Sequence, residues 1–212
     1  MRVFLLLICL LFSLSCASQK KEVISKSTIK LEGENTNIRD FIEIGGYYAV
    51  PDYQLDGGLI LFEDGTCAAV SFKEAVSEDE IKKNLLKNIV SWKKNEQFRW
   101  GSYWGVYQVK NDTIVVYGYD KGSFWKGWSL SEERYKIINR TTIKKIFWKS
   151  ILKSAEKYYE RNSPWVDGFD YHFFPADSLP PSDCWLKEEK WIWRNEKGWK
   201  EYMERIKQKK KR

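Results

Sequence analysis

Cysteine carries the most versatile chemistry in this sequence, and its four copies divide by context. Cys9 and Cys16 belong to an apolar N-terminal run, whereas Cys67 and Cys184 stand far apart in the body of the chain. Two distant thiols and the lone His172 lack the short ligand spacing of a metal centre, so no metal is expected. In an oxidising compartment Cys67 and Cys184 are a candidate disulfide, which would remove denatured-state entropy across a long loop. Two separate thiols are the alternative. His172 lies in Phe169-Asp170-Tyr171-His172-Phe173-Phe174. A catalytic histidine needs a nucleophile and an orienting acid. Asp170 is near in sequence, but no Ser or Cys occupies a nucleophile-type turn, and a packed or hydrogen-bonded imidazole is the expectation. The carboxylate pairs Glu63-Asp64 and Glu132-Glu133 raise glycoside hydrolysis, which needs two carboxyls across a cleft. Both fall at expected turns, where acidic residues are ordinary. The chain is therefore read as non-enzymatic, with no cofactor.

Aromatic residues are the remaining resource: 11 Trp, 12 Tyr and 11 Phe in 212 residues, enough apolar area to rule out a disordered chain. Alternation along the segment from Trp100 places Trp100, Trp104 and Val106 on one face and Tyr103, Tyr107 and Val109 on the other. One face must fill a core or line a cavity. The other would be an aromatic strip able to stack on sugars or dock a partner, unless helices or a Trp-rich C-terminal segment cover it. With Tyr117, Tyr119, Trp125 and Trp128 on neighbouring segments, Trp100, Tyr103, Trp104 and Tyr107 form the candidate ligand or partner surface.

The N-terminus indicates where such a surface would operate. Met1-Arg2 precedes the apolar run Val3 to Phe12 and the small-residue exit Ser13-Leu14-Ser15-Cys16-Ala17-Ser18. A short positive start, a short apolar core and a small-residue end describe a secretory signal over residues 1–15, too short to span a bilayer. Leu14-Ser15-Cys16 resembles the lipobox of bacterial lipoproteins, with Ser13 where Leu is commonest. That resemblance implies lipidation of Cys16 and, with no acidic cluster or adjacent Asp after it, the periplasmic leaflet of the outer membrane. Cleavage after Ala17, giving a secreted soluble protein, is the alternative. Residues 16–44 are polar, with sparse apolar positions fitting neither helical nor strand period, and read as a lipidated flexible tether.

The elements that must position the aromatics follow from period and turn chemistry. Gly58 to Phe62 and Cys67 to Phe72 flank Glu63-Asp64-Gly65-Thr66, whose Asp-Gly is a strong hairpin signal. Ser77-Glu78-Asp79-Glu80 forms a capping box before a helical stripe of Ile81, Leu85, Ile89 and Trp92, so a helix is expected near 77–93. Lys110-Asn111-Asp112 turns the chain between two further strands, and Lys121-Gly122 turns it again into Phe124 to Leu130. Tyr135 to Asn139 and Thr142 to Ile146 follow. Ile143, Phe147, Ile151 and Ala155 also lie four apart, so 142–161 reads either as strand to about Trp148 then helix, or as helix throughout. A Pro-punctuated coil is expected from Asn162 to Asp183. Beyond it, Trp185 to Trp193 is too rich in Trp to stay solvated and is read as a cap or an added strand. Trp199, Tyr202, Met203 and Ile206 mark a C-terminal helix. Roughly eight short strands with regular turns predict an antiparallel β-barrel or sandwich over 45–161, with 162–212 as a C-terminal extension.

Gly46-Tyr47-Tyr48, Leu61 to Gly65, Gly105 to Ile114 and Tyr135 to Ile138, in that order, resemble the small lipocalin-like lipoproteins of Bacteroidetes-type bacteria. The resemblance covers about half the chain and implies a mainly β, lipid-anchored antiparallel barrel. Lipocalins proper carry Gly-x-Trp near the first strand, where this chain has Tyr48. The formal charge of +7 is concentrated at the C-terminus by Lys207 to Arg212. Such a tail either attracts anionic lipid headgroups or frays in solvent. An exported protein does not meet nucleic acid. Two functions remain: a barrel binding a small apolar or glycan ligand, or an interaction lipoprotein docking an envelope partner through its aromatic face. Inward aromatics around a cavity mark the first, and an outward contiguous patch the second.

Overall fold

A computed structural model describes residues 18–33, 36–50, 58–70, 79, 103–121, 128–152 and 168–209. Eight antiparallel strands close into a barrel in sequence order. They are β1 (Gly46–Ala49), β2 (Gly58–Leu61), β3 (Thr66–Val70), β4 (Tyr103–Lys110), β5 (Thr113–Asp120), β6 (Ser129–Asn139), β7 (Thr142–Ser150) and β8 (Asp170–Pro175). Closure leaves no sheet edge exposed along the paired strands. The mainly β barrel is thus the observed architecture. Of the expected helix near 77–93 only Asp79 is described, and it is helical; the rest lies outside the described residues, as does the helix expected to follow strand β7 up to residue 161.

The two turns most legible in sequence form as their chemistry requires. Gly65 adopts φ +85°, and Asp64 Oδ1 accepts hydrogen bonds from the Thr66 amide (3.0 Å) and hydroxyl (2.5 Å). Asn111, at φ 56°, turns β4 into β5. These turns and Arg140-Thr141 mark one end of the barrel, the turn end. Ile38 and Ile42 close that end, and Tyr48 Oη donates to the carbonyls of Glu43 (2.8 Å) and Arg140 (3.2 Å). Strands β1, β3, β5 and β7 finish, and β2, β4, β6 and β8 begin, at the opposite end.

Three expectations are corrected here. The acidic pair Glu132-Glu133 was expected in a turn but lies within the unbroken eleven-residue strand β6. Its charges alternate sides: Glu132 meets Arg134 (2.7 Å), whereas Glu133 meets Lys145. The coil expected from Asn162 to Asp183 contains β8, so the barrel draws its closing strand from the segment read as an extension. Pro175 is tolerated because it is the strand's last residue, opposite Gly46. His172, on this strand, is exposed rather than packed.

The flexible tether is also corrected over its described part. Residues 18–26 form a helix, α1, and Val23, Ile29 and Leu31 are buried in a core layer on the barrel's outer surface. Val23 sits on a helix while Ile29 and Leu31 alternate along extended chain. That change of period within a few residues explains why neither pattern was visible. Backbone bonds join Leu31 N to Ile192 O and Arg194 N to Leu31 O, each 2.8 Å.

The Trp-rich segment caps this outer layer. It forms a short helix, α2 (Trp185–Glu188), and a 3-10 turn (Lys190–Ile192), followed by the expected helix α3 (Glu196–Lys209), which buries Tyr202 and Ile206. Two core layers result. The inner one, inside the barrel, includes Leu59, Cys67, Tyr107, Val116 and Tyr135. The outer one sandwiches Ile60, Trp104, Val106, Tyr117 and Tyr119 under both terminal segments.

Candidate functional site

A cavity of about 270 Å³ occupies the barrel interior at the end opposite the tight turns. Gly58, Ala69, Tyr103, Ser129 and Ser150 ring it at their strands' ends, and Cys67, Tyr135, Lys145 and Tyr171 lie deeper. The wall formed by β6 and β7 is polar. Ser131 pairs across strands with Ser150, Glu133 with Trp148, and Tyr135 with Lys145. A β-bulge makes this wall. Arg134 faces Phe147 but Tyr135 faces Lys145, so Ile146 is the extra residue. It sends Trp148 and Ser150 inward, where simple alternation from Lys145 would have sent Phe147 and Lys149.

The chemistry of the cavity centres on Glu133, which is half-buried. Its Oε2 accepts a hydrogen bond from Tyr135 Oη at 2.5 Å and an ion pair from Lys145 Nζ at 3.0 Å. Tyr135 is itself held by Tyr171 in an edge-on ring contact at 5.5 Å. The facing wall is apolar and small, with Gly105 directly paired to Gly118. A Cβ on Gly105 would stand 2.7 Å from both Cys67 Sγ and the Tyr117 carbonyl oxygen, so glycine is required there by close approach.

The described members of the aromatic strip do not form an exposed surface. Trp104, Tyr107, Tyr117, Tyr119 and Trp128 are buried, and only Tyr103, at 48% exposure, reaches solvent at the cavity rim. Trp100 and Trp125 lie outside the described residues. Thr28 and Thr36 hydroxyls reach Tyr117 Oη (3.1 Å) and Tyr107 Oη (3.0 Å), and Ser27 meets Tyr119 Oη. Trp128 packs edge-on against Trp185 at 5.7 Å and Trp191 at 6.4 Å. The C-terminal Trp segment is thus the cover that sequence reading allowed, and the N-terminal segment, read as a tether, joins it.

Cys67 and Cys184 are both buried free thiols, not a disulfide. They belong to different layers, Cys67 inside the barrel and Cys184 outside it. Burial raises the Cys67 pKa well above its ordinary value, with Glu133 adding to the effect. Burial likewise pushes Cys184 up to about 12 despite the opposing charge of Lys187. Neither is a ready nucleophile.

Asp64, the other flagged carboxylate, is structural. Lys187, 3% exposed, pairs with its Oδ2, and Ser182 Oγ donates to the same oxygen at 2.6 Å. Lys187 also donates to Ser182 Oγ at 2.9 Å. This cluster ties the β2–β3 turn to α2 beside a surface hollow of about 390 Å³. Among the described residues no group of His, Cys, Asp or Glu could hold a metal, and no helix is long and apolar enough to cross a membrane.

The site residues that sequence reading missed are Ser131, Tyr135, Lys145, Trp148 and Ser150. The available signal was an acidic residue and a lysine on successive strands, but a single bulge hides which of them point inward. The protein is, by architecture, a closed antiparallel barrel with a partly polar internal cavity. Comparison with known families, curated proteins and solved structures finds no match.

Proposed function

We propose that this is a lipid-anchored, non-enzymatic binding protein of the bacterial envelope that holds a small ligand inside its barrel. The observation that carries the reading is the interior cavity with an ion pair and serines on one wall and small apolar residues on the other. A solid barrel would have filled that space with side chains. Docking of a partner through the aromatic face is disfavoured because the chain's own termini occupy that face. The cavity, about 270 Å³, is slightly smaller than the usual small-molecule site of about 300 Å³ or more.

The anchor reading rests on the apolar run ending in Leu14-Ser15-Cys16. Helix α1 follows closely, and its contacts lie at the cavity end of the barrel: Lys20 stands over Trp128 at 5.2 Å and Lys26 Nζ donates to Ile151 O at 2.9 Å. A lipid on Cys16 would therefore attach near the cavity end of the barrel. The resemblance to lipocalin-like lipoproteins points the same way. Two measurements test the reading. Expressed in a bacterial host, the Cys16→Ala chain should lose acyl labelling and membrane fractionation, and unchanged labelling rejects the anchor. Native mass spectrometry of the purified protein should show a small copurifying or added ligand. No adduct with any compound, together with a filled interior in an experimental structure, rejects the binding role.

A further inference from the structure

The chemistry of the cavity wall narrows the ligand, on the premise of the cavity-binding role proposed above. The Glu133 carboxylate and the Lys145 ammonium lie 3.0 Å apart, so the described lining of the cavity carries one charge of each sign, set against each other. A ligand of either sign would gain from one partner and be repelled by the other, while giving up its own hydration. The wall instead suits uncharged groups that both donate and accept hydrogen bonds. Tyr135 and Lys145 both engage Glu133 Oε2, which leaves Oε1 as the acceptor for a ligand donor. The hydroxyls of Ser131 and Ser150, a directly opposed pair, can serve in either sense.

Size and shape act together with polarity. An apolar cavity of about 150 Å³ accommodates benzene, so about 270 Å³ admits one substituted six-membered ring, whereas an alkyl chain would leave Glu133, Ser131 and Ser150 without hydrogen-bond partners. Opposite the polar wall, Val116 and the Gly105–Gly118 pair offer a shallow apolar surface. Trp148 and Tyr103 add aromatic area against which the C–H face of a ring packs. We infer that the cavity takes a neutral, hydroxyl-bearing ring the size of a single sugar residue, with its hydroxyls on Glu133, Ser131 and Ser150 and its C–H face toward the glycine-lined wall.

The test uses the purified full chain, titrated by calorimetry and intrinsic Trp fluorescence. The probes are glucose, galactose and N-acetylglucosamine as neutral rings, glucuronate as an anionic ring, and dodecanoate as an alkyl chain. The expected result is one-to-one binding of at least one neutral sugar, at least tenfold tighter than glucuronate, and no binding of dodecanoate. Glu133→Gln should weaken the sugar at least tenfold. Val116→Phe, which leaves every polar contact in place and narrows the cavity, should abolish binding and covers the case in which Glu133→Gln does not fold. Dodecanoate bound without any sugar overturns the ligand class and leaves the cavity-binding role standing. A neutral sugar bound equally well by wild type and folded Glu133→Gln overturns the assignment of Glu133. Failure of every probe, alkyl chain included, overturns the inference, and the binding role is then decided by the native mass spectrometry and experimental structure named above.

Discussion

Asp64→Asn is the substitution whose cost follows most directly from the structure. Lys187 is 3% exposed, and its ammonium contacts the Asp64 carboxylate and Ser182 Oγ. Removing the carboxylate charge leaves a buried ammonium with a neutral amide and a hydroxyl, and breaking a buried pair in this way costs about 3–5 kcal/mol. The converse change is milder. Asp64 is 32% exposed on its side chain and keeps bonds from Thr66 N, Thr66 Oγ1 and Ser182 Oγ, so Lys187→Met should cost about 1–2 kcal/mol. The double variant should then be less destabilised than the sum of the singles by about 2 kcal/mol. Urea denaturation at pH 7 measures all three. With a slope of about 2 kcal/mol/M, Asp64→Asn lowers the midpoint by about 1.5 M or more.

The same pair fixes a pH dependence. Burial alone would raise the Asp64 pKa, but the Lys187 charge, with hydrogen bonds from Lys187, Ser182 and Thr66, outweighs it and holds the carboxyl below its ordinary value. A carboxylate whose folded pKa is depressed contributes stability above its unfolded pKa of about 4, and loses it as pH falls through the folded value. The gap between wild type and Asp64→Asn should therefore be flat from pH 7 to about 5 and shrink below about 4. Additive single variants, a Lys187→Met cost exceeding that of Asp64→Asn, or a gap that grows in acid would refute the reasoning.

Gly105→Ala should cost about 1–3 kcal/mol, because its Cβ meets a sulfur and a fixed backbone carbonyl at 2.7 Å. Combining it with Cys67→Ala should recover only part of the loss in a thermal melt, since the carbonyl contact remains. Both Cys67 and Cys184 should resist alkylation in the folded protein and react fully in denaturant, and reduction should leave the intact mass unchanged. A native mass two units lower than the reduced one would establish a disulfide instead. Trp185→Ala, at a side chain 2% exposed and packed on Trp128, should cost about 3–5 kcal/mol by chemical denaturation, which would show the C-terminal segment to be part of the folding unit. A loss under 1 kcal/mol would make it an accessory cover.

The hairpin around Asp64-Gly65, the Asn111 turn and the helical stripe of Tyr202 and Ile206 were legible because each rests on local chemistry within a few residues. Strand β8 carried strand-forming Tyr171, Phe173 and Phe174, but Pro175 and Pro164 nearby outweighed them, and its partner β1 lies more than a hundred positions upstream. The N-terminal segment was illegible for another reason: it is held by partners far along the chain, such as Ile192 and Tyr119, and has little internal pattern. Glu133 was noticed as a carboxylate and misplaced in a turn. Its partner Lys145 is recognisable only once the bulge at Ile146 fixes the register.

Alternation along β4 divided its residues correctly into two faces but gave no means of deciding which face was inside. In most barrels the larger apolar side chains fill the interior and the exterior meets solvent. Here Trp104, Tyr117, Tyr119 and Trp128 lie outside, under the terminal segments, while Tyr107, Tyr135 and Tyr171 fill the deeper interior and Cys67, Gly105, Gly118, Ser131 and Ser150 face inward around the cavity. Both faces of the sheet are thereby buried, and the outer layer adds its apolar burial to that of the inner core. A barrel stabilised from outside can leave part of its interior empty and polar without losing its fold. On this view the Trp-rich C-terminus and the cavity are one arrangement: the covering segments add packing outside the barrel, and the interior keeps small and polar residues around the cavity.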